Sequence, residues 1–419
     1  NWKSNMDQKL TKLSFLNYSI LIPYIFLSSI GIIMVFSTTV PYELSIGDSP
    51  YRMTITQGIF MLLSFVMLAI IYRMKLQALK SKKLIFYTLV ILLIAMIYSR
   101  FGPGTEVNGA HRWIQVPGIG TIQPAEYAKI FIVWYLASVF SEKQDEIYQK
   151  DIKALFKGDT LYKKVFGGWR FPIVAMIVIE IIMPDLGSTV MMVVISGCMI
   201  GISGVSWQWF SSYGKFFLLT IIGFIIFLYS VKGNVIPGHY VNARFRAMVD
   251  PFSGLGSYGH QMANSYYAVS NGGWFGRGLG NSIQKNGFLP EAHTDFIFAI
   301  VIEELGVVGG IIILAVFFFM VARILQVGIN SKKPFNSMIS MGIAVTLLIS
   351  IFVNVGGAFG IIPESGVTFP FISQGGSSFL VLSIGIGFVL NVSADERRNE
   401  ILKLSQVIPN EVTKVSVEN

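Results

Sequence analysis

Long apolar runs alternate with short polar segments along most of the chain. A helix needs about 20 apolar residues to cross the hydrocarbon of a bilayer. The pattern predicts ten such spans, at 15–37, 53–72, 84–99, 123–141, 171–183, 188–205, 216–231, 296–322, 338–360 and 379–392. The stretch MPDLGS at 183–188 interrupts what would otherwise be one long helix. Pro184 removes a backbone donor there and Gly187 adds freedom, so the reading is two spans joined by a tight turn. Two connections are long, 100–122 and 232–295, and the second is rich in Gly, Tyr, Trp and Asn. Loops of that length are uncommon in a compact protein and are often functional. The expected fold class is therefore an all-α polytopic membrane protein of about ten transmembrane helices.

Composition agrees. The 419 residues have a mean hydropathy of +0.62, with 53% hydrophobic and 13% charged residues, more apolar than a soluble domain can hide. The polar stretch to Leu13 precedes an apolar run too long for a cleaved secretory signal, which reads as an uncleaved first span. The single cysteine, Cys198, lies in an apolar run and offers neither a disulfide framework nor a cysteine metal site. The four histidines, at 111, 239, 260 and 293, are too dispersed to suggest a zinc cluster.

Charge fixes an expected orientation. With the N-terminus cytoplasmic, the inner segments, including an N-tail at 1–14 and a C-tail at 393–419, hold 23 of the 32 basic residues. The flipped topology would put lysine-rich 73–83 and 150–165 outside, against the positive-inside tendency. The net charge of +9 is thus mainly an orientation signal, with attraction to anionic lipids secondary; it does not argue for nucleic acid. The two long loops and Asp295, at the outer end of the eighth span, then face outward. Six of the nine remaining basic residues are arginines, Arg52, Arg100, Arg112, Arg244, Arg246 and Arg277, beside Lys129, Lys232 and Lys285. The planar guanidinium fork suits phosphate oxygens, although any one of these is more often an ordinary loop charge.

Several motifs carry more. NGAHRWI (108–114), QPAEYAK (123–129), PDLGS (184–188), GGWFGRGLGNSIQKNGFLPEAHTDFIFAIVIEELG (272–306) and PESGVTFPFISQGGSS (363–378) together resemble the SEDS family of peptidoglycan glycosyltransferases, the FtsW/RodA family, in order and through nearly the whole membrane region. GLGNSIQKNGFLPEAHTDFIFAI is more similar to the division branch than to the elongation branch. Ser365 stands where threonine is usual in the family, and Phe369 where leucine is usual.

The resemblance implies a multi-pass protein of the bacterial cell membrane, at the division septum, that polymerises lipid II into glycan strands at the outer leaflet. The implied partners are lipid II, the growing strand, a class B penicillin-binding transpeptidase and other divisome membrane proteins. In that reaction the acceptor hydroxyl is a poor nucleophile and needs a positioned carboxylate as general base. A diphosphate leaves readily once neutralised, so the second carboxylic acid of a glycosidase is unnecessary.

Asp295 fits the single-carboxylate role, and the family's essential aspartate falls on its HTDF motif. The plainer reading of an isolated aspartate here is a helix N-cap, with Thr294 or Asp295 capping. Glu291 is the runner-up base, and His293 either orients Asp295, binds diphosphate or is a local hydrogen-bonding residue. Trp113 matches a family position important for activity, with interfacial anchoring as its alternative. Arg112, Lys129, Arg244 and Arg246 are the candidate diphosphate contacts. The glycines of GGWFGRGLGNS are a weak candidate for an anion nest. Ser373, Gln374, Ser377 and Ser378 either bond substrate or satisfy nonhelical backbone at membrane depth. Glu303 and Glu304, like Glu180 and Asp185, read as structural pairs, since intramembrane carboxylates are costly unless partnered. A transport reading, lipid II flipping, would instead use Glu180, Glu303 and Glu304. The sequence shows no dedicated metal cage, and a divalent cation (Mg or Mn) is a candidate cofactor through substrate phosphates.

Overall fold

The computed structural model describes residues 12–102, 105–107, 110–116, 120–156, 160, 167–183, 185–234 and 240–415. Every predicted span falls on a helix. These are α1 (Tyr18–Ser45), α2 (Arg52–Arg73), α3 (Lys82–Phe101), α4 (Pro124–Glu142), α5 (Arg170–Ile182), α6 (Leu186–Ile202) and α7 (Trp207–Ser230), then, after two loop helices, α8 (Tyr240–Val249) and α9 (His260–Gly272), α10 (Ile297–Asn330), α11 (Pro334–Ala358) and α12 (Gly376–Val415). Among the described residues, α1, α2, α3, α7, α10, α11 and α12 to Leu402 are long and apolar enough to cross a membrane. The other three differ in kind. α4 carries Glu126, Lys129 and Glu142, and α5 and α6 have 13 and 17 residues. Thirteen residues rise only about 20 Å, less than the hydrocarbon thickness of roughly 30 Å.

Local chemistry sets several helix starts. Pro124 and Pro334 stand at the first helical positions of α4 and α11, where no amide is needed and φ is already helical. The break predicted at 183–188 is present between α5 and α6; Pro184 itself lies outside the described residues. Asp185 caps α6, accepting from the Ser188 amide at 3.1 Å, which satisfies one of the orphan donors of a helix start.

The core is built by α12, which packs on α2, α4 and α11, and by α10, which packs on α1, α9 and α11. α10 is not one continuous helix. Gly306 has φ 76° and ψ 173°, a conformation only glycine adopts cheaply. The break frees the Glu303 and Glu304 carbonyls and the Val307 and Val308 amides. The loop after α9 takes them up: Arg277 and Gly278 amides donate to the two carbonyls at 2.9 and 3.0 Å, and Val307 and Val308 donate to the Gly273 and Trp274 carbonyls at 2.9 and 3.2 Å. Unpaired backbone inside a bilayer costs several kcal/mol per group, roughly, so such a break persists only where protein covers it. The glycine-rich stretch is therefore spent on α10 rather than forming an open anion nest.

Two expectations about the loops change. Within 100–122 the chain forms a three-stranded antiparallel meander of β1 (Thr105–Val107), β2 (Ala110–Val116) and β3 (Gly120–Ile122), a small β element in an otherwise helical protein. Within 232–295 the loop holds α8 and α9, and α9 packs on α10. Hydropathy could not foresee either, because neither element crosses the membrane.

Candidate active site

The polar segment 291–296 leads into α10 without regular structure, so its backbone must find partners elsewhere. The Thr294 and Phe296 amides both donate to the Glu291 carbonyl, at 3.3 and 3.1 Å. The 369–375 loop supplies the rest. The Gln374 amide donates to the His293 carbonyl at 2.9 Å, and Ser373 Oγ donates to the Thr294 carbonyl at 2.6 Å while accepting from the Phe369 amide at 2.8 Å. Asn354 Nδ2, from α11, donates to the Asp295 carbonyl at 2.9 Å and to the Val367 carbonyl at 2.8 Å. Gln57 of α2 joins from the other side, donating to the Ser373 carbonyl and accepting from the Gly375 amide, both at 3.3 Å. The Ser373 side chain thus serves the backbone, as does the main-chain amide of Gln374.

What this framework leaves over is the Asp295 side chain. The N-cap of α10 is Phe296, with no side-chain capping bond, so neither Thr294 nor Asp295 caps the helix. Thr294 Oγ1 turns instead to Glu291 Oε2 at 2.6 Å. No described residue donates a hydrogen bond to the Asp295 carboxylate. Asp295 lines a small cavity with Asn354, Glu364, Gly366 and Val367. Burial raises its pKa well above the ordinary aspartate range; the like charges of Glu364, Glu291 and Asp185 push the same way, and Arg244 opposes them. Glu364 is also raised, by burial first, with Arg244 opposing and Glu291 adding. Burial disfavours the charged form, and a cation restores part of it.

The other expected residues divide. Arg244 acts electrostatically on both carboxylates. Arg246, two positions on, lies over the Tyr258 ring at 4.2 Å from its centre and donates to the Tyr258 hydroxyl at 3.3 Å. His293 stacks on Tyr42 with ring centres 5.6 Å apart. Burial lowers its pKa, and Glu291 pulls the other way, so at neutral pH it offers a hydrogen bond rather than a charge. Arg112 and Trp113 lie on β2, and Arg112 Nη1 pairs with Asp185 Oδ2 at 3.2 Å, both largely buried. Gln123 Nε2 reaches the same oxygen at 3.2 Å. The start of α6 is pressed against the site: a Cβ on Gly187 would lie 2.2 Å from the Ser365 carbonyl oxygen.

Lys129 already has a protein partner. It is buried on α4, its Nζ 2.7 Å from Glu126 Oε1, because a buried ammonium needs a counter-charge. Ser377 and Ser378 bind protein: Ser377 Oγ accepts from the Gln123 amide at 3.1 Å, and Ser378 Oγ lies 2.8 Å from Thr368 Oγ1.

Glu303 and Glu304 are structural, as expected. Glu304 pairs with Lys285 Nζ at 2.7 Å and accepts from Ser37 at 2.7 Å. Glu303 accepts from Ser282 Oγ, from the Ile283 and Gln284 amides at 3.1 and 3.3 Å, and from Asn271 at 3.2 Å. Glu180 is buried, and among the described residues its carboxylate accepts no hydrogen bond. No three or more His, Cys, Asp and Glu side chains converge as a metal site among the described residues. Sequence reasoning missed Glu364, although it stands in the quoted PESGVTFPF motif. A second acid in an outer loop, two positions before Gly366, was the available signal.

Comparison with known proteins adds to this geometry. The sequence model of the FtsW/RodA/SpoVE family, described as cell cycle protein, matches residues 18–398. A relative from Lactococcus lactis subsp. lactis (strain IL1403), "Probable peptidoglycan glycosyltransferase FtsW", is 59% identical, covering 94% of this chain and 96% of that one. Its namesake from Enterococcus hirae is 32% identical, covering 95% and 98%. Among solved structures, a chain described under "Structural coordination of polymerization and crosslinking by a peptidoglycan synthase complex" superposes with a TM-score of 0.66 at 21% identity, covering 91% of this chain and 98% of that one. The rod shape determining protein RodA of Thermus thermophilus gives 0.60 at 19%, covering 91% and 97%. At these identities the two structures bear on the fold alone.

Proposed function

The chain belongs to the FtsW/RodA/SpoVE family of cell cycle proteins, and from that premise we propose that it is a membrane-embedded peptidoglycan glycosyltransferase of the division type, with lipid II as substrate and Asp295 as general base. The observation that carries the assignment is the partly buried Asp295 carboxylate, which no described residue engages in a hydrogen bond and which shares a cavity with Glu364 under the opposing charge of Arg244, just before an apolar helix. A substrate with a sugar in water and a polyprenyl tail in lipid must react where both can be present, and that boundary is where Asp295 sits.

The acceptor hydroxyl approaches the carboxylate and loses its proton to it as the oxygen attacks the donor's anomeric carbon. The bond from that carbon to the lipid diphosphate breaks, and the diphosphate leaves with its charge balanced by cations. Arg244 is placed for this role; Arg246 and Arg112 are held by Tyr258 and Asp185. A base works best with a pKa near the working pH, and the raised value of Asp295 moves it in that direction. A divalent cation would enter on the diphosphate oxygens, and chelation by EDTA tests its need.

The transport reading loses two of its three residues, because Glu303 and Glu304 are consumed in holding the loop to α10, which leaves Glu180 alone to serve it. The partner proposed for strand crosslinking is a class B penicillin-binding transpeptidase; both termini are proposed to be cytoplasmic and the site of action the septum.

The test is reconstitution of the purified chain and this partner with lipid II. Asp295→Ala is expected to lower polymerisation about 10²–10⁴-fold, the range for removal of a general base, with thermal stability and partner binding kept. Full polymerisation by that variant would remove Asp295 from the mechanism. Lipid II translocation into vesicles without polymer would replace the enzyme with a transporter.

A further inference from the structure

The opposite end of the bundle holds a second polar concavity that glycosyl transfer does not use. On α2, Gln57 bonds the active-site loop, whereas Arg73 ends the helix, about 24 Å away at 1.5 Å per residue. There, Lys12, Arg73, Lys75, Lys80, Lys333 and Arg398 line one pocket with a single carboxylate, Asp395. Lys333 pairs with Asp395 at 2.9 Å. Among the described residues the other five have no carboxylate within ion-pair distance.

The two most enclosed cations have neutral partners. Lys12 Nζ donates to Asn391 Oδ1 at 2.7 Å and to the Met74 carbonyl at 3.1 Å, and Lys80 lies 4.8 Å from the centre of the Phe335 ring. Burial lowers the pKa of both. Asp395 opposes this at Lys12 while Arg398 adds to it; at Lys80, Lys333 adds to it and Asp395 and Glu396 oppose. Six converging cations with Asp395 in the lining and Glu396 nearby repel each other and leave a deficit of negative charge among the described residues.

A second observation gives the shape of what would fill it. Leu62, Val66 and Ile70 are 67%, 47% and 48% exposed. Spaced by four, they form one apolar stripe down α2, and Ile70 is one turn from Arg73. A cationic pocket at the head of an apolar track matches an acyl lipid with an anionic headgroup.

We propose that this pocket, framed by Lys12, Arg73, Lys80 and Arg398, binds the phosphate of an anionic phospholipid whose acyl chain lies along Leu62, Val66 and Ile70. A free phosphate would use the pocket without the stripe. The site is separate from the catalytic proposal and stands whether or not Asp295 is the base.

The purified full chain is titrated with phosphatidylglycerol, phosphatidylcholine or inorganic phosphate, and binding is read as a thermal shift. Phosphatidylglycerol is expected to bind more than tenfold tighter than phosphatidylcholine, with inorganic phosphate giving no comparable shift. Each basic residue at an anionic surface contributes about fivefold, so Lys80→Gln with Arg398→Gln is expected to weaken phosphatidylglycerol by about 25-fold. Lys150→Gln with Lys153→Gln, an equal charge change outside the pocket, is expected to alter it less than twofold. Equal binding of the two lipids, an equal loss in the control pair, or an equal shift with inorganic phosphate would each overturn the assignment. If the first pair fails to fold, salt decides: wild-type affinity for phosphatidylglycerol falls with ionic strength under this proposal, and a salt-independent affinity rejects it.

Discussion

α7 and α12 match in mean hydropathy, yet 6% of the most apolar stretch of α7 is buried within the protein, against 94% for α12. Phe216, Leu219 and Ile226 of α7 are 71%, 67% and 64% exposed. Phe379, Ile386 and Val389 of α12 are buried in the core. The difference shows what an apolar run means in this protein. It reports exclusion from water; whether the neighbour is lipid or protein depends on the small and polar residues placed among the apolar ones. α12 and its neighbours carry such residues, among them Ser383 and Asn391, which bond to other helices, and Gln57 and Asn354, which bond to the loops between them. α7 places almost none inside the protein.

The sharpest break of this contrast is in the buried half. Lys285→Met leaves Glu304 buried with Ser37 as its remaining partner among the described residues, and removing one member of a buried pair costs about 3–5 kcal/mol. The variant is expected to melt far below wild type, and combining it with Glu304→Met is expected to recover part of the loss. Next, Gly187→Ala forces a methyl against the Ser365 carbonyl, and overpacking of this kind costs about 1–3 kcal/mol. Because that carbonyl borders the Asp295 cavity, polymerisation should fall along with stability; a variant with wild-type rate and melting would remove the close contact from the account.

A smaller effect probes charge rather than packing. Asp295 with a raised pKa is ionised only above that value, so activity is lost as pH falls through it, above the ordinary aspartate range. Glu364→Gln removes a like charge and is expected to move this acidic limb of kcat to lower pH; Arg244→Gln removes the opposing cation and should move it higher. Shifts of up to about one unit correspond to roughly 1.4 kcal/mol, and parallel shifts in both variants would contradict the arrangement. Smallest of all, Leu219→Ile and Ile226→Val on α7 should change stability by less than about 0.5 kcal/mol. A large loss there would mean that α7 contacts protein on the face exposed in this structure.

Much of this was legible beforehand, for identifiable reasons. The ten apolar runs all fall on helices, and seven of those helices, among the described residues, are long and apolar enough to cross a membrane, because a bilayer leaves helices as the simplest way to satisfy the backbone. The turn at 183–188, the structural role of Glu303 and Glu304, and the place of Asp295 at the head of α10 also follow from local residue chemistry. The meander at 105–122 was not visible, since its strands are short and carry no period long enough to read. The pairing of Lys129 was not visible either, because a lysine beside an outer motif gives no sign that Glu126, one helical turn away, lies against it. Arg244 and Arg246 could not be told apart until the backbone aimed one at Tyr258.

The sequence by itself determined that this is a membrane protein, where its helices run and which aspartate heads the motif-bearing one, because hydropathy, helix termini and short motifs are properties of neighbouring residues. Only the tertiary structure decided that Glu364 faces Asp295, that the loop after α9 seals the break at Gly306, and that six cations from distant segments share one pocket. Those are contacts between positions far apart in the chain, and their energies depend on burial and on which charges meet, which no local pattern encodes.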